Sequence, residues 1–260
     1  MNNVKISAVI ITFNEEKYIR NCIESVKDLV DEIVIVDSFS TDKTEEICRQ
    51  YDIKFIQFAF DGHIQQKNRA LDLASNNYVL SLDADEVLSP ELQQSVLAIK
   101  KAWNADAYRF NRLTNYCGKQ WMRYGEWYPG TKLRLWDKRK GRWGGYNPHD
   151  VAVMEKGAII KWAKGDILHC NCDSISEHVF KVNSYSDIMA KDMYIIGVKA
   201  SIIKIIYKTT WRFVFNYFFR LGFLDGLYGF IACSVSSFGT FLKFAKLRQL
   251  HHDHRIHKPL

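Results

Sequence analysis

Four short apolar runs rich in β-branched residues, separated by helical patterns, fill the first 82 residues and leave little choice of fold. Ile6-Ser7-Ala8-Val9-Ile10-Ile11-Thr12 is apolar on both faces, the pattern of a strand inside a parallel sheet. Phe13-Asn14-Glu15-Glu16 then opens a predicted helix, with Asn14 as N-cap and acids in the first turn. A second strand, Glu32 to Val36, ends at Asp37. Asp42 with Glu45 resembles a capping pair that starts a helix through Ile47, Cys48 and Tyr51. Ile53 to Phe58 reads as a third strand, 63–75 as a helix and 78–82 as a fourth strand. Strands alternating with helices at this spacing predict a doubly wound α/β sheet.

Ligands of such sheets bind beyond the carboxyl ends of the strands. The residues there are Thr12, Asn14 and Glu15; Asp37 and Ser38; and Asp83 and Asp85. The last two belong to Tyr78-Val79-Leu80-Ser81-Leu82-Asp83-Ala84-Asp85-Glu86, a strand that stops abruptly in three carboxylates. Alternate residues of a strand share a face, so an Asp-x-Asp pair brings carboxylates together, commonly around a hard divalent cation. Taken alone, the same residues also suit a solvated turn. No Gly-x-Gly-x-x-Gly or Walker-type loop follows the first strand, which disfavours a dinucleotide enzyme or a P-loop NTPase.

Ser89-Pro90-Glu91 starts a helix that runs to about Ala102. From Ala105 to Gly165 the pattern changes to short β-like pieces: Tyr108 to Thr114, Lys132 to Trp136 and Val151 to Met154. Trp121, Trp127, Trp136, Trp143 and several tyrosines interleave with Arg123, Arg134, Arg139 and Arg142. Most of these rings suit a small core under a mixed sheet, and a few could stack on sugars or nucleic acid. Asn147-Pro148-His149-Asp150 follows Gly144-Gly145; its His-Asp pair suits either a general base or a capped turn. His169 ends another short strand.

Ser174-Ile175-Ser176-Glu177 is a capping box that opens a helix with Val179, Val182, Ser186, Met189 and Met193 along one stripe. Beyond Ser201, Lys204, Lys208, Arg212, Asn216 and Arg220 recur every four residues on an aromatic, apolar helix, a pattern suited to a membrane interface. Gly222 to Phe241 carries one charge, Asp225, but also serines and glycines, which favours a shallow element over a spanning one. Lys243, Lys246 and Arg248 add a basic end. A helical bundle against the first domain or a dimer partner would show the same pattern. The chain's net charge of +7 calls for an anionic partner: nucleotide phosphates, nucleic acid or anionic lipid. The cysteines form no Cys-x-x-Cys pair, which fits reduced core thiols. The strand pattern begins almost at residue 1, so no signal peptide is expected. His251, His252, His254 and His257 form a tail expected to be disordered.

Over residues 4 to about 170 the chain resembles the family 2 glycosyltransferases. The resemblance is carried by Ile11-Thr12-Phe13-Asn14-Glu15, Ile35-Val36-Asp37-Ser38, Gln66-Lys67-Asn68-Arg69-Ala70 and Leu82-Asp83-Ala84-Asp85-Glu86. Trp127-Tyr128-Pro129, Lys132-Leu133-Arg134-Leu135-Trp136, Gly141-Arg142-Trp143, Ser176-Glu177-His178 and Arg220-Leu221-Gly222-Phe223-Leu224-Asp225-Gly226 look like the lipopolysaccharide-core β-glucosyltransferase subgroup. That subgroup usually shows His-Glu where this chain has His149-Asp150, so the acid here is one methylene shorter.

The resemblance implies a GT-A (Rossmann-like) mixed sheet flanked by helices over residues 1–175, with a helical, membrane-associating region over 176–260. It implies a UDP-sugar donor, Mn²⁺ or Mg²⁺, and inverting transfer of a hexose, glucose above all, to a saccharide or glycolipid acceptor such as lipopolysaccharide core. Carried residue by residue, Thr12, Asn14, Glu15, Asp37, Lys67, Asn68, Asp83, Ala84 and Asp85 would form the nucleotide-sugar site. Asp83, Asp85 and His169 would ligate the metal, and Asp150 would be the general base, with Glu86 and Glu91 as rivals. With the basic tail this places the protein on the cytoplasmic face of a bacterial inner membrane, peripheral or shallowly inserted, held to anionic lipid through residues 200–250. The acid rim argues against a nucleic-acid partner. Alternatives are transfer to polyprenyl phosphate or to a protein, and a non-catalytic nucleotide-sugar or membrane-binding module.

Overall fold

A computed structural model describes residues 3–146 and 149–256. The chain falls into two compact units, Met1–Arg112 with Thr131–His169, and Leu113–Gly130 with Cys170–Leu260. Residues 113–130, which the sequence reading placed in the first domain, therefore belong to the second unit.

The first unit is a mixed sheet between helices. Strands β1 (Ile6–Thr12), β2 (Glu32–Asp37), β3 (Lys54–Gln57) and β4 (Tyr78–Asp83) run parallel in the order β3-β2-β1-β4. Beyond β4 the order continues through β8 (Lys132–Asp137), β6 (Ala107–Tyr116), β11 (Ile160–Cys172) and β5 (Glu86–Leu88). Strand β8 is antiparallel to β4 and β6, and β5 to β11. A separate ribbon pairs β9 (Gly141–Tyr146) with β10 (His149–Met154). Helices α1 (Ile19–Val26), α2 (Thr44–Cys48), α3 (His63–Leu73) and α4 (Pro90–Lys101) flank the sheet.

Burial explains the layout. Ile6, Ala8 and Ile10 of β1 pack with Cys22, Ile23 and Val26 of α1 in one core, while Val9 packs with Val34, Val36 and Ala70 in another. A strand covered on both faces carries continuous apolar sequence. Register then sets the rim: Thr12 pairs with Asp37, and Ile11 with Asp83.

The local expectations at two helix starts are corrected. Asn14 does not cap α1; it has φ 54° and lies in the turn before it, and Tyr18 occupies the cap position without capping the helix through its side chain. Asp42 does not form a capping pair with Glu45: it accepts from the N–H groups of Thr44 and Glu16, and Glu45 bonds Arg49 and Gln57. Ser89 caps α4 as expected, accepting from Leu92 N–H at 3.3 Å. Gly144 and Gly145 lie inside β9.

The second unit contains β7 (Gln120–Met122) paired with the end of β6, and the helices α5 (Ile175–Ile195), α6 (Ile202–Val214) and α7 (Gly226–Ile256). Ser174 caps α5 through Glu177 N–H. The buried face of α5 is His178, Ser186 and Ala190, so Val179 and Met189, expected on the inward stripe, are exposed. The recurring polar positions also divide. Arg212 and Asn216 turn inward and both bond the Glu126 carboxylate, at 2.8 and 3.0 Å. Asp225 is buried and accepts from the backbone N–H groups of Arg123 and Tyr124. The helix Gly222–Asp253 is long and apolar enough to cross a membrane by length and composition, and 39% of its apolar window is buried in the protein. Among the described residues Cys22, Cys48, Cys117, Cys170 and Cys233 form no disulfide.

The His178 Nδ1 lies 2.8 Å from the Tyr116 hydroxyl in this unit. Burial pushes the imidazole down to about 4 from 6.5, against the opposing pull of Glu126. The folded value lies below the unfolded one, so the unfolded chain takes up the proton first. The stability due to neutral His178 is therefore complete above about pH 6.5 and lost as pH falls toward 4. The loss amounts to at most about 3 kcal/mol. Thermal unfolding followed against pH should show a steeper decline below neutrality for the native chain than for His178→Gln; parallel curves would contradict this account.

Candidate active site

The carboxyl ends of β1, β2 and β4 are tied together by short polar loops. Asp37, fully buried, accepts from Ser40 N–H at 2.9 Å, from the Ser40 hydroxyl and from Gln57 Nε2. Asn14 donates its N–H to Ser40 Oγ at 2.8 Å and accepts from Thr41 N–H at 2.8 Å. Glu15 N–H donates to Thr44 Oγ1. The turn after β1 and the turn after β2 thus hold each other, and the positive φ of Asn14 lets both ends of that residue face the neighbouring loop. The buried Thr12 hydroxyl has no hydrogen-bond partner among the described residues, a polar atom at the rim available to a ligand.

Charge is concentrated where β4 ends. Asp83 is bonded on both oxygens: Oδ1 to Lys67 Nζ at 2.8 Å and Oδ2 to Arg134 at 2.6 Å. Burial by itself would raise the Asp83 carboxyl, but the charges of Arg134 and Lys67 overcome it and hold the group well below the usual carboxylate range. Lys67, from α3, also bonds Asp150 Oδ2 on β10 at 2.7 Å and sits over the Trp143 ring at 4.4 Å. Arg134, from β8, also bonds Glu86 Oε1 at 2.7 Å, and Arg112 approaches the same oxygen at 3.8 Å. Lys132 is nearby; burial and then the charges of Arg112 and Arg134 push its ammonium down.

The sequence-predicted residues divide accordingly. Asp83 and Asp150 meet through one ammonium. Asp85 and His169 meet directly, with Nε2 3.1 Å from Oδ2. The His169 Nδ1 is buried and has no hydrogen-bond partner among the described residues. Among the described residues no three His, Cys, Asp or Glu side chains converge on one point, because Asp83 faces the cations instead of the Asp85–His169 pair. Ala84 is buried between the two acids. Asn68 is committed to structure: its amide donates to the Trp143 carbonyl and accepts from Trp143 N–H. Glu86 is fully buried and held by Arg134, and Glu91 lies exposed in the first turn of α4, so neither rival shares Lys67 with Asp83 as Asp150 does. Asn147, Pro148 and His257, and the side chains of His149 and His254, lie outside the described residues, while His251 and His252 lie in α7 and not in a disordered tail.

Sequence reasoning did not find Arg134, which reads as one of several scattered arginines. Its signal was an Arg between apolar neighbours on a strand, where a charge is kept only if paired. Phe13, Phe39 and Phe58 were also missed. Phe13 and Phe58 directly follow β1 and β3, Phe39 lies two residues beyond the end of β2, and all are exposed.

Asp85 and His169, a carboxylate and an imidazole already in contact, would suit a hard or borderline divalent cation. A cation held there would supply Lewis-acid stabilisation of developing negative charge. The protein supplies the rest: an ionised Asp83, a rigid rim, and a carboxylate at Asp150 whose second oxygen, Oδ1, carries no hydrogen bond among the described residues.

Residues 7–165 match the glycosyl transferase family 2. An uncharacterized glycosyltransferase of Rickettsia typhi is 36% identical over 257 residues, 95% of this chain and 87% of that one. The lipopolysaccharide core biosynthesis glycosyltransferase LpsC of Rhizobium meliloti is 30% identical, over 95% of this chain and 93% of that one. Among solved structures, residues 1–349 of S. aureus TarS align with 98% of this chain and 92% of that chain, at 15% identity and a TM-score of 0.44.

Proposed function

The chain belongs to glycosyl transferase family 2 and is a glycosyltransferase with the α/β GT-A layout, and from that premise we propose an inverting, metal-dependent hexosyltransferase. Its donor is a UDP-sugar, UDP-glucose first among the candidates, and its acceptor a lipid-linked saccharide of the lipopolysaccharide-core kind. The observation that carries this reading is the Lys67 ammonium, 2.8 Å from Asp83 and 2.7 Å from Asp150, which puts a candidate base beside the acid rim. The likeness to LpsC over nearly the whole chain supports the acceptor class.

In this reading Thr12, Asn14, Glu15 and Asp37 form the nucleoside end of the site, and Phe13 or Phe39 packs on the base. Asp83 faces the ribose, and Asp85 with His169 holds Mn²⁺ or Mg²⁺. Lys67 orients Asp150 through Oδ2 and leaves Oδ1 to take the proton of the acceptor hydroxyl as that oxygen attacks the anomeric carbon from the face opposite the leaving group. Arg134 and Lys67 fix Asp83 in place before substrate arrives, so no reorganisation is needed during reaction. The exposed Tyr207, Trp211, Phe215 and Phe219 of the second unit, with Lys204 and Lys208, hold the protein on the cytoplasmic face of the inner membrane.

The test is a screen of UDP-, GDP- and dTDP-sugars against lipopolysaccharide-core acceptors, with products identified by mass spectrometry. Transfer from a UDP-hexose is expected. Absence of transfer or hydrolysis of every UDP-sugar with Mn²⁺ present would overturn the reading in favour of a non-catalytic binding module. Chelation should abolish turnover and added Mn²⁺ or Mg²⁺ should restore it, whereas Asp85→Ala should not recover at any metal concentration that restores the native enzyme. Full activity in chelator would remove the metal from the mechanism.

A further inference from the structure

The second unit holds a cavity of about 580 Å³ that the reaction does not use. It lies where α6 begins and α7 nears its end. Ile202, Ile205, Ile206 and Phe241 make its apolar wall, and Lys199 and Arg248 are on its rim. No Asp or Glu lines it. Arg248 donates to the Ala200 carbonyl at 3.3 Å, a neutral partner, and among the described residues neither Arg248 nor Lys199 pairs with a carboxylate. The nearest acid on α7, Asp253, lies beside His252, at 3.7 Å.

Two further features bias the cavity toward an anion that carries a chain. Helix α6 starts at its edge, capped by Ser201 and without an acid in its first turn, so the positive end of the helix dipole is unopposed. Ile202 and Ile206 are 58% and 61% exposed, and so continue the apolar wall out to the surface. A small polar anion would leave that wall wet. A neutral lipid would bring its surface against two cations and leave them unpaired. His251 gives the cavity a fixed side, bonded to the Val198 carbonyl at 2.8 Å and tilted against Tyr194.

We propose that this cavity seats one anionic phospholipid of the membrane, with its phosphate at Lys199 and Arg248 and an acyl chain along Ile202, Ile206 and Phe241. The proposal deepens, and rests on, the membrane-surface part of the function above. It adds a defined lipid seat to what would otherwise be diffuse attraction to the surface.

The test uses the full chain and sedimentation with vesicles of phosphatidylcholine, with and without phosphatidylglycerol. The native protein should sediment with the anionic vesicles. Arg248→Ala and Lys199→Ala should each weaken that binding roughly fivefold. Ala245→Phe, which fills the cavity at constant charge, should weaken it as well. Lys191→Ala, the same charge change on an exposed position of α5 outside the cavity, should have less than about twofold effect. Short-chain phosphatidylglycerol should compete, and inorganic phosphate should not.

If the native chain ignores anionic vesicles, the membrane reading itself fails. If it binds them but Arg248→Ala and Ala245→Phe bind equally well, or Lys191→Ala loses as much, the seat is wrong while the membrane reading stands. Competition by inorganic phosphate equal to that of the lipid would make this a simple anion site and overturn the lipid assignment.

Discussion

Asp150→Asn should lower kcat by roughly 10²- to 10⁴-fold, the usual contribution of a positioned general base. Asparagine is the informative replacement because its side-chain oxygen still accepts from Lys67, so the 2.7 Å contact that orients β10 against α3 survives. What disappears is the proton-accepting carboxylate. The donor KM should change little, since Asp150 touches neither of the turns after β1 and β2. Initial rates at saturating UDP-sugar check this. A kcat within tenfold of the native value would move the base elsewhere, and Glu91 would be the next residue to replace.

Arg134→Leu should destabilise the first unit by about 3–5 kcal/mol, the typical penalty for removing one partner of a buried ion pair. Arg134 is 2% exposed and Glu86 fully buried. Loss of the guanidinium leaves Glu86 with Arg112 at 3.8 Å and Asp83 with Lys67 alone. The sign for pH follows from the depressed Asp83 carboxyl: its stabilising pairing is present above the ordinary carboxylate range near 3.8 and is lost as pH falls through its lower folded value. The native site therefore keeps this pairing at neutral and mildly acid pH. Urea unfolding of Arg134→Leu and of the double variant Arg134→Leu, Glu86→Leu gives the check. The double variant should recover part of the loss, since Glu86 is then no longer a fully buried charge deprived of its closest partner. An unmoved urea midpoint for the single variant would show that the cluster contributes nothing net.

What the sequence made legible was what local pattern controls. Continuous apolar runs fixed β1, β2 and β4, and a strand's end fixed where Thr12, Asp37 and Asp83 would stand. Asn14 and Lys67 were named as site residues, but their partners, Ser40 and Thr41 for the first and Asp83 and Asp150 for the second, were not. Lys67 answers to Asp150 on a ribbon whose Gly144-Gly145 pair hid its strand character. Asn68 spends both ends of its amide on the Trp143 backbone, a role invisible without knowing that β9 passes α3. In the second unit the every-fourth-residue polar pattern was real, yet Arg212 and Asn216 turned inward because Glu126 awaited them from a distant loop. In each case the missing information was a partner far away in sequence.

That distance has a consequence for how the site comes into being. Lys67 and Asp150 are 83 residues apart, and Arg134 and Asp83 are 51 apart. Each contact requires the intervening chain to close before the charges can meet. The cluster therefore depends on β8 and β10 as well as on β4. A nascent chain that has made β1 to β4 but not yet β8 and β10 carries Asp83, Asp85 and Glu86 with neither Arg134 nor Asp150. Completion of the sheet and neutralisation of its acidic edge become one event, and capacity for chemistry arrives only with the finished fold.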